Sequence, residues 1–396
     1  MTAVRKVWLL TLGAFTLGLD AYVMAGLLPA IAHDIGTRVS LAGQLVTAFT
    51  LAYALAAPLV AGLLSGVRPR ALILAALAVF TLGNAVTALA PSLPALLAAR
   101  VIAGAGAGVY SALSTAAAAA LAPEGRRGRA LALVMGGMSA GTVLGVPIGV
   151  LLAEHTGWRA TLWLVTALGA LALAGLATLL PPVPPAPAVP LRARLAAVTD
   201  RAVAPVVGVS FLAAVASLGL YTYLAPVLAA AGGVGEVTPY LWAWGVGGVL
   251  GSVLAGPLVD RTGRVRALVG AVLAVIVAAQ ALLPALAGAA LPGAAAALVA
   301  WGAAGWALQV PQQHRLLERS AQRGTVALAL NNSALYLGSA VGSALGGLAL
   351  AAGLAPYALP WAAAGVAALG LVLHTATGRR SRLAAGVSTL GSYEHS

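Results

Sequence analysis

Cysteine is absent from this 396-residue chain, which excludes disulfides, thiolate catalysis and cysteine-ligated metals. Charge is scarce as well: Asp, Glu, Lys and Arg make up 8% of residues, against 61% that are apolar. That much apolar surface exceeds what a soluble core hides, so the chain must be solvated by lipid. Acidic residues are the rarest charge, 9 against 22 basic ones, giving a net charge of +13. In a soluble protein such a balance suggests nucleic acid. Here the basic residues are dispersed among short loops instead of forming one face, and no nucleic-acid partner is expected. No His-Glu-x-x-His motif or other catalytic constellation occurs, and the five histidines are isolated. The chain therefore reads as neither an enzyme nor a metalloprotein, and no cofactor is expected.

What is present is a series of long apolar runs. A bilayer core about 30 Å thick needs roughly 20 apolar residues per helix, and twelve segments qualify: 7–32, 40–65, 70–90, 94–121, 129–153, 158–180, 203–230, 237–259, 265–287, 291–311, 324–352 and 355–376. Irregular backbone cannot face lipid, so each is predicted to be a helix. The first run leads into Pro29, His33 and Asp34 without a small-residue cleavage pattern, and its retention is expected.

The basic residues set the orientation. Arg5 and Lys6, Arg68 and Arg70, Arg126 to Arg129, Arg192 to Arg201, Arg261 to Arg266, Arg315 to Arg323 and Arg379 to Arg382 all fall on one side, whereas Arg38 and Arg159 fall on the other. By the positive-inside bias, both termini and the even-numbered loops are cytoplasmic. His314, with Arg315 and Glu318, reads as a solvated loop residue.

Pro181-Pro182-Val183-Pro184-Pro185-Ala186-Pro187 favours a stiff, extended linker. It divides the chain into a six-helix bundle over 1–180, a linker over 181–202, a second six-helix bundle over 203–378 and a tail over 379–396. The fifth run carries Gly137, Gly141, Gly145 and Gly149 at four-residue intervals, and the eleventh carries Gly338, Gly342 and Gly346. Such ridges let another helix approach closely. Their matched place in each half predicts a duplicated, all-α membrane architecture of two pseudo-symmetric bundles, of the kind used for alternating access.

Gly256-Pro257-Leu258-Val259-Asp260-Arg261-Thr262-Gly263-Arg264 resembles the G-x-x-x-D-R-x-G-R signature of the major facilitator superfamily. In the first-half counterpart, Gly62 to Arg70, Gly66 stands in place of the acid and Pro69 in place of the turn glycine. Leu17 to Pro29, Arg100 with Gly104, Gly106 and Gly108, Gly137 to Gly149 with Pro147, and Asn331 to Gly338 are similar, in order, to helices of its twelve-helix drug:proton antiporter branch. Many relatives carry the first-helix acid one residue later, where this chain has Ala21. The resemblance implies a gate built on Asp260, Arg261, Gly263 and Arg264, and a helix-packing motif at Gly137, Gly141, Gly145, Pro147 and Gly149.

Asp20 and Arg100 are the two charges inside long apolar runs. A charge at mid-membrane costs roughly 2.5–3.5 kcal/mol on insertion scales, so it usually faces a cavity or a partner. Asp20 lies on the order of 20 Å into its helix, near the midplane, and Arg100 about 9 Å from the other face, where its side chain can reach inward or snorkel outward. Desolvation raises the proton affinity of a carboxyl group and a nearby guanidinium lowers it, the ingredients of a proton-coupling site. A static ion pair that orders the first helix is the alternative. Thr16, Met24 and Leu27 share the Asp20 face. With Gln44, Tyr53, Tyr110, Tyr221, Gln309, Asn331, Asn332 and Tyr336 they are candidates for lining a substrate cavity. Asn84 and Gln280 are further membrane amides. The expected activity is proton-coupled export of a small, lipophilic compound, such as an antibiotic, by a functional monomer in the cytoplasmic membrane. Sugar or small-metabolite efflux is the runner-up.

Overall fold

The computed structural model describes residues 3–63, 67–123, 126–184, 199–232, 236–289, 291–319 and 324–391. Among them twelve helices are long and apolar enough to cross a bilayer: Val7–Ile35, Val39–Val60, Pro69–Leu89, Leu93–Leu121, Gly128–Thr156, Trp158–Leu179, Ala204–Thr222, Thr238–Thr262, Val265–Ala289, Pro292–Glu318, Val326–Ala351 and Pro356–Thr377. We refer to these as the first to twelfth spans. No strand occurs among the described residues, as the requirement for internally satisfied backbone dictates. The 185–198 part of the proposed linker, the first-half motif residues 64–66 and tail residues 392–396 lie outside the described set.

The second span breaks at Gly43, between Val39–Ala42 and Gln44–Leu63, and three further spans depart from regular α-helix shortly before a proline. The fifth contains a π-turn over Gly141–Gly145 ahead of Pro147. The seventh stops at Thr222 and resumes as Leu224–Gly232, three residues ahead of Pro226. The tenth breaks at Leu308, between Leu291–Ala307 and Gln309–Arg319, ahead of Pro311. A proline offers no N–H to the carbonyl one turn back and its ring crowds that carbonyl, so the preceding turn loosens.

The tenth span corrects a sequence expectation. Residues 309–319, read as the end of a span followed by a loop, form a helix. His314 does lie exposed, against Glu318 at 3.5 Å, but Arg315 and Gln312 face inward. Gln312 Nε2 donates to Val206 O at 2.9 Å and to Ser210 Oγ at 3.1 Å, tying this segment to the seventh span. Helix also continues through Gly391, into the stretch assigned to the tail.

The halves repeat one packing scheme. The most extensive contacts join the second span to the fourth and the first to the fifth, then the eighth to the tenth and the seventh to the eleventh. Polar contacts repeat too. Arg70 donates to Ala177 O, 107 residues ahead, and Arg266 to His374 O, 108 ahead, both at 2.7 Å and both securing the end of the last helix of their half. Asn84 reaches back 64 residues to Asp20, and Gln280 reaches back 64 to Ala216.

The glycine ladders explain the first-to-fifth and seventh-to-eleventh contacts. A Cβ on Gly137 or Gly141 would meet the carbonyl of Thr11 or Phe15, and one on Gly145 or Gly149 would meet Leu19 or Val23. The fifth span thus descends the first in four-residue steps. In the second half Gly338, Gly342 and Gly346 meet Phe211, Val215 and Tyr223 of the seventh span and the turn following it. Backbone-to-backbone approach of this kind substitutes dispersion for the hydrophobic drive that lipid cannot supply.

Candidate functional site

The charge site is assembled from three spans of the first half. Asp20 is fully buried, and its Oδ1 accepts from Arg100 Nη1 at 2.7 Å. Its other oxygen, Oδ2, accepts from Asn84 Nδ2 at 3.3 Å, and Arg100 Nη1 also reaches Asn84 Oδ1 at 3.3 Å. Arg100, 1% exposed, therefore turns inward and does not snorkel. Its guanidinium carbon lies 4.1 Å from the centroid of the Phe49 ring. The pair is single-pronged: one nitrogen serves the carboxylate, and Arg100 Nε has no hydrogen-bond partner. A bidentate fork would hold the carboxylate more firmly. The arrangement keeps a buried charge compensated while leaving it a partner that can be exchanged.

A separate pocket opens between the halves. Ala21, Tyr22 and Ala25 of the first span, Val46 and Thr50 of the second, Leu218, Tyr221 and Thr222 of the seventh, and Tyr336 and Ser339 of the eleventh enclose about 340 Å³ of empty volume, counted to the open mouth. Much of that volume is open to solvent, and the enclosed part has room for about one water rather than a drug-sized ligand. No charged side chain lines it; its polar groups are hydroxyls. Behind it, Tyr22 from the first half inserts among Tyr221, Trp244 and Trp306 of the second, with ring centroids 5.8, 6.0 and 6.3 Å away.

The family model for the Major Facilitator Superfamily matches residues 10–343. The chain belongs to the major facilitator superfamily. It is 31% identical over 350 residues to the uncharacterised MFS-type transporter YbcL of Bacillus subtilis, covering 88% of this chain and 89% of that one. It is 34% identical over 343 residues to a chloramphenicol resistance protein of Streptomyces lividans, covering 85% and 86%. Among solved structures, the human organic anion transporter MFSD10 matches with a TM-score of 0.67 at 22% identity, covering 94% of this chain and 100% of that one. These likenesses place the chain among transporters rather than enzymes, as a multi-pass membrane protein.

With the superfamily fold as the frame, the candidate residues separate by location. Of those proposed to line a cavity, Tyr221 and Tyr336 do so. Tyr53 lies beside the pocket, stacked on Tyr336 with centroids 3.5 Å apart. Thr16, Met24 and Leu27 are fully buried and are not among the lining residues. They share the Asp20 face of the first span, and a step of 100° per residue puts Ala21, Tyr22 and Ala25 on the other side of that helix. Tyr110 is likewise away from the pocket, its hydroxyl donating to Leu10 O at 3.1 Å within the first half. Gln44 sits at the start of its helix, against Ser40 and Gly347, and Gln309 is half-buried at the tenth-span break. Asn331 is buried with Oδ1 unpartnered, and Asn332 is exposed.

The residues expected to form a gate, Asp260, Arg261, Gly263 and Arg264, are all exposed at the arginine-rich end. Gly263 has φ +57° and closes the eighth span by donating to Val259 O at 3.0 Å, a left-handed cap that a side chain would strain. At the opposite end Asp34 pairs with Arg159 and accepts from Trp158 Nε1 at 3.1 Å. Arg159, one of the two arginines against the charge bias, therefore has a local partner. Also at this end the halves are joined, by Thr238 Oγ1 donating to Glu154 Oε1 at 2.9 Å and by Tyr223 packed against Gly43.

Sequence reasoning missed Tyr22 and Phe49. Neither carries a charge or an amide, and an aromatic ring in an apolar helix looks like packing. The i, i+4 spacing of Phe49 and Tyr53 was the available signal.

Proposed function

We propose that the chain is a proton-coupled exporter of a small, uncharged, lipophilic compound, working by alternating access in the cytoplasmic membrane with both termini inside. The observation that carries this reading is the buried Asp20–Arg100–Asn84 cluster, set in one half, beside a charge-free pocket shared by both. A carboxylate held by one exchangeable nitrogen is suited to trade its arginine for a proton. The pocket, apolar with scattered hydroxyls, suits a ligand that needs few polar anchors. A sugar site needs denser paired donors and acceptors, and an anion site needs a cation in the lining. The similarity to a chloramphenicol resistance protein supports a drug-like substrate and the outward direction.

In the cycle, Asp20 takes up a proton when open to the outside and releases it to the inside, while the pocket alternates with it in loading and discharging substrate. Moving one charge inward through a 100 mV potential supplies about 2.3 kcal/mol. The exposed Asp260, Arg261 and Arg264 are free to pair across the cytoplasmic face when that face closes. Proteoliposomes loaded with chloramphenicol test the reading. An imposed pH gradient should accelerate its movement in wild type and leave Asp20→Asn unaffected; a wild type indifferent to the gradient overturns it.

A further inference from the structure

We propose that the stacked rings of Tyr53 and Tyr336 form the barrier between the pocket and the arginine-rich end, and that Phe49 ties this barrier to the Arg100–Asp20 pair. The inference rests on the reading of Asp20 as the proton site for its second part only.

The barrier follows from exposure along the eleventh span. Asn332 is exposed, Tyr336 one turn on is 7% exposed, and Ser339, in the pocket, is 5%. On the helix face that Asn332 and Tyr336 share, exposure therefore ends at Tyr336. Tyr53, contributed by the other half, is 3% exposed and covers it at 3.5 Å with the rings 23° apart, the closest ring pair among the described residues. The Tyr53 hydroxyl faces Ser111, Tyr336 and Asn332 yet closes no hydrogen bond of normal geometry.

The tie follows from register. Phe49 lies one turn before Tyr53, its centroid 6.3 Å from that ring, and its own ring sits under the Arg100 guanidinium at 4.1 Å. Arg100, Gly104 and Gly108 are successive turns of the fourth span. Gly104 receives the carbonyl of Phe49 and Gly108 the carbonyl of Tyr53, with no room for a Cβ at either. The backbones of the second and fourth spans are thus packed tightly at these two turns, and the Phe49 ring is the side-chain contact through which a movement of the Arg100 guanidinium reaches Tyr53. Arg100 is the one charged group against Asp20 among the described residues, and Asn84 its other polar neighbour. Neutralising Asp20 frees Arg100 to move toward Asn84 and the ring face, which disturbs the stack. By reciprocity, a ligand pressing on Tyr336 alters the hold of Arg100 on Asp20.

The native absence of cysteine allows a direct test. With Ser339→Cys as a pocket reporter, labelling by a membrane-impermeant sulfonated maleimide is timed from each side of oriented vesicles. Tyr53→Leu and Tyr336→Leu should each speed labelling from the arginine-rich side by up to about tenfold, the population change that one lost aromatic pair allows. Tyr53→Phe and Tyr336→Phe keep the stack and should label like the parent, which separates barrier loss from misfolding. Asp20→Asn should also speed labelling, but not further when Phe49→Leu is present. Unchanged rates in both leucine variants overturn the barrier. Additive effects of Asp20→Asn and Phe49→Leu, or no effect of Asp20→Asn, overturn the tie. The rates in the tyrosine variants involve no proton, so a failure of proton coupling in transport leaves the barrier result standing.

Discussion

At the scale of single residues, Asp20 and Arg100 stabilise each other only as a pair. Removing one partner of a buried ion pair leaves an uncompensated charge, a loss of about 3–5 kcal/mol. Arg100→Ala should therefore lower the unfolding midpoint in detergent strongly, while Arg100→Ala combined with Asp20→Asn should recover most of it. A double variant as unstable as the single would show that the two side chains act independently. Both residues were legible in the sequence, because a charge in an apolar helix has few structural uses. Asn84 was visible as an amide but not as the third member, since the coupling of residues 64 and 16 positions apart is a property of how the helices pack. Thr16, Met24 and Leu27 were placed on the correct face of the first helix; that face turns to the interior of the half and not to the pocket.

At the scale of helices, the ladders divide glycines by what lies opposite them. Gly141 abuts the carbonyl of Phe15, so Gly141→Val forces the first and fifth spans apart; folded yield after detergent extraction should collapse. Gly136, five residues earlier, has open space where its Cβ would sit. Gly136→Ala should be tolerated and gain roughly 0.5–1 kcal/mol from helix propensity. Equal yields for Gly141→Val and Gly136→Ala would refute this packing scheme. The ladders were readable from spacing alone because small residues every four positions have one geometric use. The helix over 309–319 was not. Polar residues after an apolar run look like a loop, whereas in the fold Val206 O and Ser210 meet Gln312, His374 meets Arg315, and Val203, Val206 and Ala327 cover Leu316.

At the scale of the molecule, the halves meet around the pocket and at the end opposite the arginines. The Thr238–Glu154 hydrogen bond is one of the bonds across that seam. Glu154→Ala should shift the balance toward an outward-open form by a factor of about two to ten, and Glu154→Gln, which keeps an acceptor, by less. Distances between spin labels on the seam, read in both variants, check this; identical distributions would remove Glu154 from the seam's energetics. Twelve spans, the duplication and the charge asymmetry were all legible, since each is a pattern of composition over lengths the bilayer dictates. The pocket was not, because its lining of Ala, Val, Thr and Tyr differs from packing residues only in having another half of the molecule across from it.

Asp20 is proposed to couple proton movement to movement of a compound through the pocket. The most direct measurement is proton flux into lightly buffered proteoliposomes, followed with an entrapped pH-sensitive dye when chloramphenicol is added at a fixed gradient. Substrate-dependent proton movement in wild type, abolished in Asp20→Asn with chloramphenicol binding still measurable, is the result expected. Proton movement of equal size in Asp20→Asn would contradict it.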